Sequence, residues 1–363
     1  MSTVLPFRLR SHHVFLDARI NGAPASLVLD TGSGMCALDA TWASSVGLSP
    51  SAQDRQAVGT DNMSIALATI GSLALGDSVE LRDEPAALVP LHDVSARHGQ
   101  VVHGTIGYGL FMRYVVEIDY ASRMLRLHDP ATFIYQGDGE RIPVDLSKRV
   151  PILAAELVAN GTTIPVRLLL DLGTSGYASV LTKAFVDRHA NALGGSSRER
   201  LIGTGVGGSA HGRVATLDAL RLGNVRVPHP YVAMPSDARG FFGVTWVDGT
   251  LGAPVLSRTR LILDYPHQHV IIEPATAMDA PFAVDRSGLA FRAEGPDFAT
   301  VVVDDVAQGS AAARAGIAAG DVIRTIDGRP VRGESIDWLD EMFTRAGATY
   351  SLGLEREVSL TLE

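Results

Sequence analysis

One pattern of apolar and polar positions occurs twice in the chain, and each occurrence predicts a β-hairpin. The first has β-rich runs at 14–20 and 25–29 on either side of Asn21-Gly22. The second repeats this arrangement around another Asn-Gly pair within 152–170. Asn-Gly suits a two-residue hairpin turn because both central residues of that turn need positive φ. The pattern therefore predicts two antiparallel hairpins, and short helices are expected some ten residues after each of them.

Each hairpin leads into an aspartate and a loop of small residues: Asp30-Thr31-Gly32-Ser33 in the first copy and Asp171-Leu172-Gly173-Thr174 in the second. Three further elements of the first copy recur in the same order in the second: Leu75-Gly76-Asp77 as Leu222-Gly223-Asn224, Gly104-Thr105-Ile106-Gly107 as Gly249-Thr250-Leu251-Gly252, and Ile118-Asp119-Tyr120 as Leu263-Asp264-Tyr265. The spacing between copies is 141 residues at the aspartates and 145 at the glycine and Asp-Tyr elements. The sequence therefore predicts a duplicated, mainly β domain in which two carboxylates face each other.

Composition excludes several function classes. The 363 residues are 46% hydrophobic, enough for two or three domains, and the formal net charge of −9 argues against nucleic acid as a partner. No apolar stretch approaches the roughly 18 to 20 residues of a membrane span. Cys36 is the only cysteine, so no internal disulfide can form, and an inert buried thiol is expected. We expect a cytoplasmic protein, or a periplasmic or cell-envelope protein if a leader has been removed.

Two carboxylates about 3 Å apart cannot both ionise, so together they supply an acid and a base. With Asp30-Thr31-Gly32-Ser33 in a duplicated β frame, and a hydrophobic-hydrophobic-Gly element at Thr105-Ile106-Gly107 and again at Thr250-Leu251-Gly252, residues 10 to about 275 resemble the pepsin and retropepsin aspartic proteases. The resemblance implies that Asp30 and Asp171 are catalytic and that they activate a water molecule for peptide hydrolysis.

The resemblance also implies supporting roles for the residues after each aspartate, namely Thr31, Gly32 and Ser33 in the first copy and Leu172, Gly173 and Thr174 in the second. The glycines allow a tight turn, and the hydroxyls of Ser33 and Thr174 are expected to bond the outer carboxylate oxygens. Thr31 is expected to brace the opposite loop. Leu172 departs from the family pattern because it has no hydroxyl to return that brace.

Each copy is expected to carry its own flap, as in a retropepsin dimer fused into one chain. The candidate residues in the second copy are Gly203, Thr204, Gly205, Val206, Gly207 and Gly208, in a stretch that looks too rich in glycine for a rigid element; the first copy has about 53–64. Histidines at 12, 13, 98, 103, 267 and 269 lack carboxylate or thiol companions at ligand spacing. They are interpreted as solvated surface residues, and no metal is expected.

A change in composition at 274–286 marks a linker, and the order of elements after it resembles a bacterial PDZ domain. The resemblance implies that Gly288, Leu289, Ala290 and Phe291 form the loop whose amides hold a peptide's terminal carboxylate. A helix at about 335–346 would form the other wall of the groove. PDZ domains bind extended peptides at a sheet edge. The alternative is a PDZ domain that only packs on the protease and binds no ligand.

The predicted architecture is mainly β, with one lobe at 1–135, a pseudo-symmetric lobe at 143–275 and a PDZ domain at 286–363. The predicted function is aspartic endopeptidase, with polypeptide substrates, no cofactor, a monomeric state and a peptide C-terminus at the PDZ domain. The alternative is a catalytically weak or inactive scaffold that holds peptides in the cleft and in the PDZ groove. A serine protease is excluded because no Gly-x-Ser-x-Gly or Gly-Asn-Ser-Gly-Gly element is present.

Overall fold

The structure is a computed structural model that describes residues 2–51, 54–195 and 198–363, apart from the side chains of Asp54 and Thr276. Strands account for 47% of the residues and helices for 15%, so the predicted mainly β class is confirmed.

The strands of the first lobe are β1 (Thr3–Pro6), β2 (Arg8–Arg10), β3 (His13–Ile20), β4 (Ala23–Leu29), β5 (Cys36–Asp39), β6 (Asp54–Val58), β7 (Asn62–Leu75), β8 (Val79–Val89), β9 (Gly104–Ile106), β10 (Val115–Asp119) and β11 (Met124–His128). Its helices are α1 (Ala40–Ser45), α2 (His92–His98) and α3 (Tyr108–Arg113). The first predicted hairpin is formed by β3 and β4, with Asn21 and Gly22 both at positive φ.

The second lobe follows β12 (Glu140–Pro143). Its strands are β13 (Ile152–Ala159), β14 (Thr162–Asp171), β15 (Ser179–Val180), β16 (Arg200–Gly205), β17 (Gly208–Thr216), β18 (Ala219–Leu222), β19 (Val225–Pro228), β20 (Tyr231–Pro235), β21 (Gly249–Gly252), β22 (Thr259–Asp264) and β23 (His269–Pro274). Its helices are α4 (Lys183–Arg188), α5 (Ala190–Leu193) and α6 (Ala253–Leu256), with 3₁₀ turns at Gly240–Gly243, Tyr265–His267 and Thr276–Asp279.

The C-terminal unit has its own apolar core, separate from the core shared by the two lobes. Its strands are β24 (Leu289–Glu294), β25 (Thr300–Val306), β26 (Val322–Ile323), β27 (Thr325–Ile326), β28 (Arg329–Pro330), β29 (Thr349–Gly353) and β30 (Glu357–Thr361), and its helices are α7 (Ala311–Arg314) and α8 (Ile336–Met342). Helix α8 lies within the predicted 335–346.

A six-stranded sheet, in the order β1-β11-β10-β22-β23-β12, joins the two lobes. At its centre β10 pairs antiparallel with β22, and Glu117 lies opposite Ile262. These two residues are 145 apart, the spacing of the Asp-Tyr elements, so each lies opposite its own counterpart. This register places a pseudo-two-fold axis between the lobes. Because this sheet crosses the predicted limits at 135 and 143, the domain boundaries stay predictions.

Among the described residues, no helix is long and apolar enough to cross a membrane. Cys36 is buried, as expected, and burial raises the pKa of its thiol to about 11.

Candidate functional site

A parallel strand pair positions each of the two aspartates. Strand β4 runs beside β9, and the amide of Asp30 donates to the carbonyl of Ile106 at 3.0 Å. Strand β14 runs beside β21 in the same way, with Asp171 opposite Gly252. The glycines that end these elements are required by close packing, because a Cβ at Gly107 or at Gly252 would clash with the backbone of the adjacent aspartate loop. The strands β9 and β21, with the glycine that follows or ends each, therefore pack directly against the two aspartate loops.

The two carboxylates meet where the lobes join. The two carboxyls are close neighbours, since a Cβ built at Gly173 would lie 3.0 Å from Asp30 Oδ1 and 3.1 Å from Asp171 Oδ1. Each loop also packs on the opposite carboxylate. A Cβ at Gly32 would lie 2.6 Å from Asp171 Oδ1, and one at Gly173 would lie 3.0 Å from Asp30 Oδ1. Glycine at both positions is what allows the two loops to approach so closely.

Backbone amides orient the two part-buried carboxylates. The amide of Gly32 donates to Asp30 Oδ1 at 2.8 Å, and the amide of Gly173 donates to Asp171 Oδ1 at 2.8 Å. The hydroxyl of Thr174 donates to Asp171 Oδ2 at 2.7 Å, as expected from the sequence.

The prediction for Ser33 is wrong. Its hydroxyl donates to the carbonyl of Met35 at 2.6 Å and so has no proton left for the carboxylate. The turn at 33–35 brings a carbonyl within reach of the hydroxyl, and this local bond replaces the expected one.

The environment favours retention of a proton by the pair. Burial, followed by the nearby Asp171 carboxylate, raises the pKa of Asp30 to about 7. Burial also raises the pKa of Asp171, and amide bonds to the ionised form oppose the rise at both aspartates. Asp171 in addition receives the hydroxyl bond of Thr174, which favours the negative charge on Asp171 and the proton on Asp30.

Thr31 braces both loops through one hydroxyl. Its Oγ1 donates to the carbonyl of Leu170 at 2.7 Å and accepts from the amide of Leu172 at 2.9 Å, and the residue is 1% exposed. Leu172 is equally buried, but its side chain belongs to the apolar core and returns no hydrogen bond. The brace therefore runs from the first lobe to the second and is not reciprocated.

Two histidines beside the site are buried, so interpreting them as solvated surface residues is wrong. His13 Nε2 donates to the carbonyl of Gly173 at 3.0 Å, and its ring meets that of His98 edge to face at 4.6 Å. Burial lowers the pKa of both residues, so they are neutral. Each Nδ1 is buried and has no hydrogen-bond partner within the described ranges. Only the repeated His-His letters at 12 and 13 hinted at this cluster, since no periodic pattern marked it.

Both predicted flaps are β-hairpins, and their tips are joined. Strands β6 and β7 form the first, and β16 and β17 form the second, although its glycines suggested a less regular element. The amide of Thr60 donates to the carbonyl of Val206 at 2.7 Å. The carbonyl of Gly59 also accepts a hydrogen bond, at 2.9 Å, from the amide of Phe241 in the 3₁₀ turn of the second lobe. Of the predicted first flap, Gln53 lies outside the described residues. Cross-strand pairing outweighs the low strand propensity of glycine here.

The predicted carboxylate-binding loop of the C-terminal unit is partly occupied by the chain itself. The amide of Gly288 donates to Asp285 Oδ2 at 2.9 Å, and the amide of Leu289 donates to Ser287 Oγ at 3.0 Å. These amides are therefore not free to hold a peptide carboxylate, which corrects the prediction for this half of the loop. Ala290 and Phe291 belong to β24, an edge strand of the sheet β24-β25-β26, and its outer edge pairs with no strand among the described residues.

Within the described residues, no group of three or more histidine, cysteine, aspartate or glutamate side chains is arranged to hold a metal ion.

Comparison with known proteins assigns families to two parts of the chain. Residues 16–110 match the family model described as aspartyl protease, and residues 302–346 match that of the PDZ domain. The chain carries an aspartyl protease domain and a PDZ domain. The protease match covers about a quarter of the chain, and its family is one of peptide hydrolases. The protease match includes Asp30 but ends before Asp171, which joins the site only through the fold.

Solved structures give a weaker likeness. The aspartic proteinase from Irpex lacteus is 13% identical, with a TM-score of 0.49 over 77% of this chain and 99% of that chain. A retropepsin-like aspartic protease from Rickettsia conorii is 19% identical, with a TM-score of 0.25 over 35% of this chain and 89% of that chain. Among curated proteins, no match was found.

Proposed function

We propose that the chain is an aspartic endopeptidase in which Asp30 and Asp171 activate a water molecule for attack on a peptide bond. One observation carries the proposal: carboxyls from the two lobes are close neighbours, and each is packed against the other lobe's loop glycine. A protonated and an ionised carboxyl in contact provide the acid and the base that hydrolysis requires.

The roles of the two carboxyls follow from their surroundings. Asp171, whose ionised form receives hydrogen bonds from Thr174 and Gly173, takes the proton from the water. Asp30, with its raised pKa, gives its proton to the scissile carbonyl oxygen as the water oxygen bonds to the carbonyl carbon. The tetrahedral intermediate then collapses: the C–N bond breaks, Asp171 gives the proton that it took from water to the leaving amine nitrogen, and a hydroxyl of the intermediate returns a proton to Asp30 as the product carboxyl forms. The titration belongs to the pair, so exchange of the proton between the two is part of the cycle.

The substrate class proposed is an extended polypeptide lying between the carboxylate loops and the joined flap tips. The carboxylate loops and the flap tips each come from both lobes of the same chain. The site is therefore complete within one chain, which supports a monomer. At the PDZ domain, the outer edge of β24 pairs with no described strand and faces helix α8, which supports binding of a second extended peptide by strand addition once α2 leaves that edge.

The test is cleavage of a proteome-derived peptide library, read by mass spectrometry from pH 3 to 8, with wild type, Asp30→Asn and Asp171→Asn. We expect wild-type cleavage in the acidic to neutral range and its loss in both variants. Asp218→Asn is a suitable control because this aspartate lies in the second lobe outside the site, where its carboxylate accepts from the amide of Gly161. Full cleavage by both site variants would overturn the proposal.

A second candidate function is a peptide-binding scaffold with little or no catalysis. The observation that favours it is Leu172, which leaves one half of the brace between the loops unmade. In that case wild type would retain library peptides in the cleft without cutting them at any pH.

A further inference from the structure

Helix α2 of the protease lies against both walls of the PDZ peptide groove. The guanidinium of Arg97 donates to the carbonyl of Phe291 on β24 at 3.0 Å, and it also pairs with Asp340 on α8 at 3.1 Å. One side chain of the first lobe thus bridges the strand wall and the helix wall.

The end of α2 fills the space between these walls. Gly99 closes the helix with φ +62, and a Cβ there would lie 3.4 Å from Ile336 of α8 and 3.7 Å from Ala293 of β24. A peptide that extends the sheet must bond the outer edge of β24, including carbonyls such as that of Phe291. Arg97 already uses that carbonyl, so α2 and an extended peptide compete for the same place.

The same helix contacts the carboxylate site. His98, its last residue, packs edge to face on His13, and His13 Nε2 donates to the carbonyl of Gly173. Gly173 in turn packs on Asp30 and donates its amide to Asp171. Two side-chain contacts therefore connect the PDZ groove to the loop that carries a catalytic candidate.

A second contact converges on the same histidine. Ser11 bonds the Asp337 carboxylate of α8 through its amide, at 2.9 Å, and through its hydroxyl. Ser11 and His12 both adopt positive φ, a conformation that non-glycine residues rarely adopt without support from their surroundings. The PDZ helix therefore holds both segments that place His13, one through Ser11 and the other through α2.

We propose that α2 is a built-in occupant of the PDZ groove and that His13 is a positioning residue which makes the Asp171 loop depend on that docking. An extended peptide that enters the groove displaces α2, frees His98 and His13, and loosens Gly173. The docked form is the competent one, because in this form the loop amides of Gly32 and Gly173 hold the two carboxylates by hydrogen bonds. The part that concerns cleavage rests on the proposed function, whereas the docking and the loop order do not.

Hydrogen exchange on the full chain, followed by mass spectrometry, tests the coupling without need of activity. We expect Arg97→Ala to raise exchange several-fold in three segments, 92–99, 289–294 and 170–176, and to leave β29 and β30 unchanged. Arg82→Ala is the matched control, because Arg82 pairs with Glu80 on the surface of the first lobe. Unchanged exchange at 289–294 overturns the occupancy. A rise there with none at 170–176 overturns the coupling.

Variants of His13 separate positioning from folding. His13→Leu removes the bond to Gly173 and should raise exchange at 170–176 and lower kcat with little change in KM. His13→Gln keeps an N–H donor, so its hydrogen exchange at 170–176 and its kcat should both lie close to those of wild type. Equal behaviour of the two variants overturns the positioning role. If wild type cleaves nothing, the exchange measurements still decide this proposal, so its failure is distinguishable from failure of the proposed function.

Competition is tested with a library of random decapeptides with free C-termini, passed over immobilised full-length chains. Arg97→Ala should retain at least tenfold more peptide than wild type does. Equal retention, including none by either chain, overturns the claim that α2 keeps a peptide groove closed.

Discussion

Replacing Thr31 by valine removes the brace between the carboxylate loops while keeping the shape of the side chain. The hydroxyl makes two bonds, to the carbonyl of Leu170 and from the amide of Leu172, in a place that is 1% exposed. Each buried group left without its partner costs about 1 to 3 kcal/mol, so the two together cost about 2 to 6 kcal/mol. The melting temperature of the protease unit should fall by about 4 °C or more, at about 2 °C per kcal/mol.

Thr105 is a matched control in the same lobe. Its hydroxyl oxygen is buried but has no hydrogen-bond partner in the part of the chain that the structure describes. Thr105→Val therefore removes an unpaired polar group, and the melting temperature should stay constant or rise.

The assay is differential scanning calorimetry of the two variants and wild type in the same buffer, with the PDZ transition treated separately if it resolves. If Thr31→Val and Thr105→Val have the same melting temperature, the two bonds of Thr31 contribute nothing to stability and the reasoning about the brace is refuted.

Further predictions concern the carboxylate pair, the inter-lobe sheet and the flaps. Because the pKa of Asp30 is raised to about 7, the folded state loses stability as pH rises from about 4 to 7. Asp30→Asn avoids that loss, and its melting temperature relative to wild type should be higher at pH 8 than at pH 4; a constant difference would contradict the raised pKa. Glu117→Gln removes a buried carboxylate held by two arginines and a histidine and should cost about 1 to 3 kcal/mol on chemical denaturation. Glu156→Gln, at an exposed ion pair, should cost less than about 1 kcal/mol, and equal losses would count against the inter-lobe role. A Cβ at Gly59 would clash with the opposite flap tip, so Gly59→Ala should lower kcat/KM, whereas Gly203→Ala, with open space around it, should not. Equal rates for these two variants would show that the tips need not meet.

Local sequence signals were sufficient to predict the elements that carry the carboxylates. Asn-Gly fixed the turn of the hairpins, and the repeated apolar-apolar-Gly elements marked the strands that support each loop. The second carboxylate was predictable because Asp171 repeats the setting of Asp30, although Leu172 breaks the family pattern. These features depend on neighbours in sequence or on an internal repeat, so one sequence is enough to reveal them.

Contacts between distant segments were not predictable in the same way. His13 and His98 looked like surface residues because their burial depends on how α2 packs against the first strands and the PDZ domain. Ser33 bonds a carbonyl two residues away, which depends on the detailed turn geometry. The loop at Gly288 is partly occupied because Asp285, in the preceding linker, reaches its amides. No pattern of residue types specifies which of several donors an acceptor will meet.

The most direct test of the account is a pH titration of the aspartate carboxyl carbons by NMR, with ¹³C label at Cγ, in wild type and Asp171→Asn. The central claim is that Asp30 and Asp171 share one proton near neutral pH. We predict one aspartate signal in wild type that titrates near pH 7, and a downward shift of that midpoint in the variant, where the neighbouring charge is gone. If every aspartate titrates below about pH 5 and Asp171→Asn changes none of the remaining signals, the two carboxylates do not form a proton-sharing pair.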